Sequence, residues 1–244
     1  MKGLIYKDFI VCRKTLAMAY IYCVLFAVVG ILCRLSMICG NLANNQEVIE
    51  SLNRNVWLFR YAPCAAFMAT STLNTIFSDK NCGWLTYSYT TPIGEKRIVA
   101  AKMLFNTLLS TTAYLISILY LSVFLLFEGS TPSFKHLGYI TGFYLFFLAF
   151  SFLNTLLSNV FQKKQTVDMV LVGSAGIFSL CITPILFKKM ESHQNDPDID
   201  LFDIFREDLN SIKDWFLPAA FALLVIMGVL CFIISVRTLQ RREN

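Results

Sequence analysis

Three aspartates, Asp196, Asp198 and Asp200, followed by Glu207, fall at the spacing of four oxygen ligands in an EF-hand calcium loop. Such a loop needs a glycine directly after the third of these ligands to turn sharply, and Leu201 stands there instead. An acidic, solvated face accounts for the spacing better than a calcium site does. Other reactive patterns are missing from the sequence. The histidines, His136 and His193, belong to no H-E-x-x-H helix, so zinc proteolysis has no ligand set. No G-x-x-x-x-G-K-[ST] phosphate loop and no G-x-S-x-G nucleophile elbow occurs. The expectation is a chain with no catalytic residue, no metal site and no cofactor of its own. Its eight cysteines form no C-x-x-C pair and read as small apolar packing residues, with a Cys39–Cys64 bridge as the alternative.

The elements that must hold the polar residues are apolar. The 244-residue chain is 56% hydrophobic and 15% charged, against about 45–50% and about 25% in soluble domains. A bilayer core asks for roughly 20 apolar residues per helical crossing. Six windows of that kind are expected as membrane helices, over 16–39, 56–77, 103–127, 137–161, 167–187 and 215–236. The short alternating segments of a β-barrel are absent. The fold class is therefore an all-α membrane protein forming one transmembrane domain over 1–244. An amphipathic helix over 1–15 is expected to lie in the inner headgroup layer, basic face toward anionic lipid, although Asp8 and Ile10 break its pattern. The extracellular segment 188–214 is expected to end in a short amphipathic helix, because Leu201, Phe202, Ile204, Phe205, Leu209 and Ile212 recur at helical spacing.

Loop charge sets the orientation. With six windows, one side carries thirteen basic against five acidic residues and the other eight against eleven. The positive side faces the cytoplasm by the positive-inside rule, which places both termini there and the protein in the plasma membrane. This positive balance marks topology and gives no nucleic-acid surface, since no basic patch sits on a soluble domain.

Polar residues inside the windows are costly in lipid and so carry information. They are Arg34, Arg60, Asn74, Asn106, Asn154 and Asn159. Arg60 either snorkels or pairs near the outer face, or lines a translocation path. For Asn74, Asn106 and Asn154 the choice lies between hydrogen bonds joining helices and contact with a transported molecule.

The cytoplasmic segment 78–102 is the most differentiated of the chain. It runs from Ser78-Asp79-Lys80 through Gly83-Trp84 and a tyrosine-rich stretch to Thr91-Pro92, then Gly94-Glu95-Lys96-Arg97 and an aliphatic run closing on Lys102. Pro92 disfavours helix at Thr91, so a helix, turn, helix order is expected. This order of an acid, Gly-Trp, a hydroxyl-proline turn, a basic pair and a closing lysine resembles that of ABC-2 type exporter permeases. The start MKGLIYKDF is similar to a branch of that family in Firmicutes that includes exporters of phenol-soluble modulins and related peptides. The resemblance implies a coupling helix around Trp84 that docks on a separate ABC ATPase. It carries Asp79, Gly83, Trp84, Pro92, Lys96, Arg97 and Lys102 over as coupling residues. It also implies a permease dimer, of identical or paralogous copies, above two ATPases that hold the ATP and magnesium. The cargo class it suggests is amphipathic or hydrophobic peptide. The alternatives are drug, lipid or ion efflux by the same machinery, or a membrane sensor or immunity protein without transport. Without the resemblance, Trp84, Tyr87 and Tyr89 would read as an interfacial aromatic belt.

Overall fold

A computed structural model describes residues 2–38, 56–72, 76, 79, 94–127, 129, 134–161, 163–173 and 216–243. Within these residues all regular structure is helical, in the order α1 (Lys2–Ile38), α2 (Val56–Ala69) with a 3-10 turn at Thr70–Thr72, α3 (Glu95–Phe127), α4 (Phe134–Val160), α5 (164–173) and α6 (Phe216–Glu243). Among them α1, α3, α4 and α6 are long and apolar enough to cross a membrane. The second expected crossing is represented by α2, its 3-10 turn and the helical positions Ile76 and Asp79, and only the start of the fifth by α5. The outer helix expected in 188–214, the acidic residues from Asp196 to Glu207, and Asn74 lie outside the described residues.

α3 is the axis of the bundle and packs against α1, α2, α4 and α6. Its buried stripe runs from Val99 and Lys102 through Asn106, Ala113 and Ser117 to Phe124, at the three- and four-residue steps of one helix face. The remaining surface is apolar and outward, with Leu104, Leu108, Leu115 and Leu119 all exposed. In water so much exposed leucine would drive association, whereas in lipid it is the expected exterior. α1 runs parallel to α3, because Cys12 and Leu16 pack on Phe105 and Leu109 while Gly30 meets Tyr120 farther along. α4 runs the other way, with His136 beside Tyr61 at one end and Thr155 beside Asn106 toward the other. α6 ends with Val236 and Leu239 against Val99. Lys2, Glu95 and Glu243 thus mark the same end of the bundle.

The separate interfacial helix expected over 1–15 is not a separate element. Residues 2–15 form the first turns of a single α1 that continues to Ile38. Between Lys14 and Leu16 there is neither glycine nor proline to interrupt the backbone, and a buried stripe of Asp8, Cys12, Leu16, Cys23, Ala27 and Gly30 passes through the expected junction without a phase break. At about 1.5 Å per residue α1 is roughly 55 Å long, well beyond the roughly 30 Å of a bilayer core. The third helix likewise begins earlier than its window. Glu95 to Lys102 form its opening turns, with the Arg97 amide bonded to the Gly94 carbonyl at 2.9 Å, so the segment expected as a loop over 78–102 is helical in its last part.

In α2 the helix continues through Pro63. A proline lacks the N–H that would reach back four residues, so the Phe59 carbonyl loses its helical donor. Tyr120 of α3 supplies the replacement, donating its hydroxyl to the Phe59 oxygen at 2.7 Å. α1 leaves room for that hydroxyl, since a Cβ on Gly30 would sit 3.2 Å from it. One turn on, α2 and α3 touch backbone to side chain in both directions. The Ser117 hydroxyl donates to the Cys64 carbonyl at 3.3 Å, and the Cys64 thiol donates to the Ser117 carbonyl at 3.7 Å. Cys64 is a free, fully buried thiol. α2 gives way to the 3-10 turn where Thr70 and Thr72 turn their hydroxyls onto the Phe67 and Ala69 carbonyls, at 2.6 and 2.8 Å. Hydroxyl side chains that compete for backbone carbonyls in this way weaken a helix end.

Tyr120→Phe is expected to lower stability by about 1 kcal/mol, the scale of a hydrogen bond between membrane helices. Pro63→Ala restores a backbone donor to Phe59, so the cost of Tyr120→Phe should shrink in that background. A double-mutant cycle on thermal unfolding in detergent measures the difference, and equal costs in both backgrounds would reject the assignment.

Candidate functional site

At the N-terminal end of the bundle three segments far apart in sequence bring four charged side chains together. α1 contributes Lys7 and Asp8, the stretch just past the second apolar window contributes Asp79, and α3 contributes Lys102. Lys102 Nζ lies 2.6 Å from Asp8 Oδ1 and 2.5 Å from Asp79 Oδ2. Lys7 Nζ lies 2.6 Å from Asp79 Oδ1 and 3.2 Å from Asp8 Oδ1. Each ammonium therefore bridges both carboxylates. Asp8, Asp79 and Lys102 are 1%, 2% and 6% exposed, while Lys7 closes the cluster from the half-buried rim. Asp8 Oδ2 is buried and has no hydrogen-bond partner among the described residues.

Burial of this kind decides what the cluster can do. A single buried carboxylate would cost several kcal/mol, which close opposite charges offset. Asp79 and Lys102 are both enclosed by their own bundle. What the cluster does is tie α1 to the two ends of the segment between Asp79 and α3. The motif groups Asp79 and Lys102 with Lys96 and Arg97 as one set, and the structure separates them. Lys96 and Arg97 are exposed on the first turn of α3. Gly83, Trp84 and Pro92 lie outside the described residues. The partners Lys7 and Asp8 were missed, although a signal was present: an aspartate on the apolar arc of α1, four residues before Cys12, calls for a buried cation.

The polar residues read as path or packing positions fall as follows. Asn106, one turn beyond Lys102, donates from Nδ2 to the Thr155 hydroxyl at 2.9 Å, and Thr155 donates to the Ser151 carbonyl at 2.9 Å. Asn154 donates from Nδ2 to the Thr72 carbonyl at 3.1 Å, satisfying an acceptor that the end of α2 leaves open. Asn106 and Asn154 thus fasten α4 to α3 and to the end of α2. Arg34 and Arg60 are half-buried, on stretches of α1 and α2 remote from the charge cluster. His136, one residue before the fourth expected window, stands in α4 and shares a 2.5 Å hydrogen bond with the Tyr61 hydroxyl. Among the described residues no three His, Cys, Asp or Glu side chains group as a metal site.

The model of the ABC-2 family transporter proteins matches residues 3–239, nearly the whole chain. The chain belongs to this family. No curated protein matches it. As an ABC-2 family protein it is a multi-pass membrane permease of an ABC transporter, a transport component that associates with an ABC ATPase.

Lys102→Met leaves Asp8 and Asp79 to share Lys7 alone, and breaking a buried pair of this kind costs about 3–5 kcal/mol. The expected outcome is a strongly lowered unfolding temperature in detergent. Adding Asp8→Asn should recover part of the loss, because the surviving carboxylate then keeps one cation. Lys7→Met, at the half-buried rim, should cost less than Lys102→Met.

Proposed function

We propose that this permease exports amphipathic or hydrophobic cargo, peptides foremost, with ATP and magnesium bound by the partner ATPase and not by this chain. The charged end of the bundle, which holds Lys2, Lys7, Arg13, Lys14, Lys96, Arg97, Lys102, Lys163, Lys164, Arg237 and Arg241, is its cytoplasmic end. Both termini then face the cytoplasm, and the segment between Asp79 and Glu95 faces the ATPase. Two permease copies, identical or paralogous, stand above two ATPases.

The observation that carries this reading is the ionic cluster. Asp79 stands just before the segment and Lys102 two turns into the helix after it, and both are clamped to α1. A push on the segment is therefore delivered to α1 and α3 together. Within it Trp84 is the anchor, since large aromatics dominate protein interfaces. Gly83 and Pro92 belong with it as coupling residues, since proline disfavours helix at Thr91. Lys96 and Arg97 orient the partner electrostatically. Their position supports this role, because cations in the first turn oppose the helix dipole and earn no local stability there. Arg60, Asn74, Asn106 and Asn154 remain the polar candidates for contact with cargo. Of these, Asn106 and Asn154 now have structural bonds that a cargo would have to compete for.

Trp84→Ala, or Lys96→Glu with Arg97→Glu, is expected to reduce co-purification of the ATPase by about tenfold or more while the chain stays folded in the membrane. An unchanged complex in both variants would remove this segment from docking. Stimulation of ATPase activity across a panel of peptides, lipids, drugs and ions separates peptide export from other efflux, the peptides giving the largest response.

A further inference from the structure

An open groove of about 1060 Å³ runs between α1 and α3. Leu16 and Tyr20 on one side and Leu108 and Ile116 on the other give it an apolar lining, and Lys2 and Arg13 also line it. Both cations are exposed. They are eleven residues apart, close to three full turns, which puts them on one face of α1. No carboxylate lines the groove among the described residues. Their charge is thus left to an outside partner, unlike that of Lys7 and Lys102, which is met within the cluster.

Height along the bundle identifies the partner. Arg13 lies just over one turn beyond Asp8, where α1 passes from charged to apolar sequence and α3 begins its apolar run after Lys102. That level is the headgroup layer, and the groove continues beyond it to Tyr20 and Ile116, into the acyl region. A cationic amphipath would meet Lys2 and Arg13 as like charges. A second copy packed on this face in a symmetric dimer would bring the same cations together.

We propose that the groove holds an anionic phospholipid of the adjoining leaflet. An acyl chain lies along Leu16, Tyr20, Leu108 and Ile116, and the phosphate is held by Arg13, while Lys2, about 16 Å farther out along α1, adds to the positive potential over the headgroup. Guanidinium and ammonium groups both bind phosphate, the first in a fixed fork. The site needs only a bilayer around the chain, so it stands or falls separately from the transport cycle.

The test uses the full-length chain reconstituted in vesicles of phosphatidylglycerol and phosphatidylcholine with matched acyl chains. After extraction into mild detergent, retained lipid is counted by native mass spectrometry. Wild type should retain phosphatidylglycerol over phosphatidylcholine. Arg13→Gln should lower that preference by about fivefold, and Lys2→Gln by less. Lys14→Gln, an exposed cation outside the groove, should leave it unchanged, and Leu108→Trp, which fills the groove from an exposed position, should lower retention of both lipids. Equal retention of the two lipids by wild type, or an unchanged preference in the Arg13→Gln, Lys2→Gln double variant, would overturn the proposal. A lipid-free wild-type dimer that shields Leu108 would overturn it in favour of a second copy.

Discussion

Two aspartates almost without water can remain in this bundle only if two ammonium groups reach them. That requirement fixes how three separate stretches of chain meet. Asp8 brings α1 to α3 through Lys102, and Asp79 brings the stretch just past the second apolar window to both helices. Apolar contacts alone would leave the meeting loosely specified, because one leucine face packs on another in several registers. An ion pair with two lysines each bridging two carboxylates admits very few. The packing above it, Cys12 and Leu16 on Phe105 and Leu109, follows in the register that the charges set.

The far half of the bundle is fastened by weaker means. Tyr120 answers the carbonyl that Pro63 exposes, Gly30 gives that tyrosine its space, and Ser117 and Cys64 bring α2 and α3 close enough for hydroxyl and thiol to reach backbone. Each device solves the same problem, that backbone groups in lipid have no water to turn to. The charged end is held by strong, sharply defined interactions and the other end by many modest ones.

The sequence made the apolar helices legible, because a bilayer imposes both length and composition on them. α1, α3, α4 and α6 contain or closely track four of the windows. It was less informative at their ends. The early start of α3 at Glu95 follows a Gly-Glu pair that could have been read as a helix opening, and the single α1 follows from the lack of any breaker near residue 15. The basic face of the first turns, with Lys2, Lys7, Arg13 and Lys14, pointed instead to a surface helix, which is the usual meaning of that pattern. The segment 78–102 drew attention for its motif, and Asp79 and Lys102 do stand at a candidate site. Asp8 on the apolar arc of α1 announces a buried cation. The pairing could not be read from the sequence, because the bonds that Lys7 donates to Asp79 and Lys102 donates to Asp8 span 72 and 94 residues. Pairings over such distances exist only once the helices have packed.

The four charges of the cluster also cancel. Two lysines and two aspartates at the edge of the membrane form a unit with no net charge. A lone cation carried across a membrane potential exchanges about 2.3 kcal/mol per 100 mV. This unit, carried along the same field, exchanges almost nothing. The cluster itself therefore adds no voltage dependence to helix movements that keep it intact, and its ionic precision comes with no electrical load of its own.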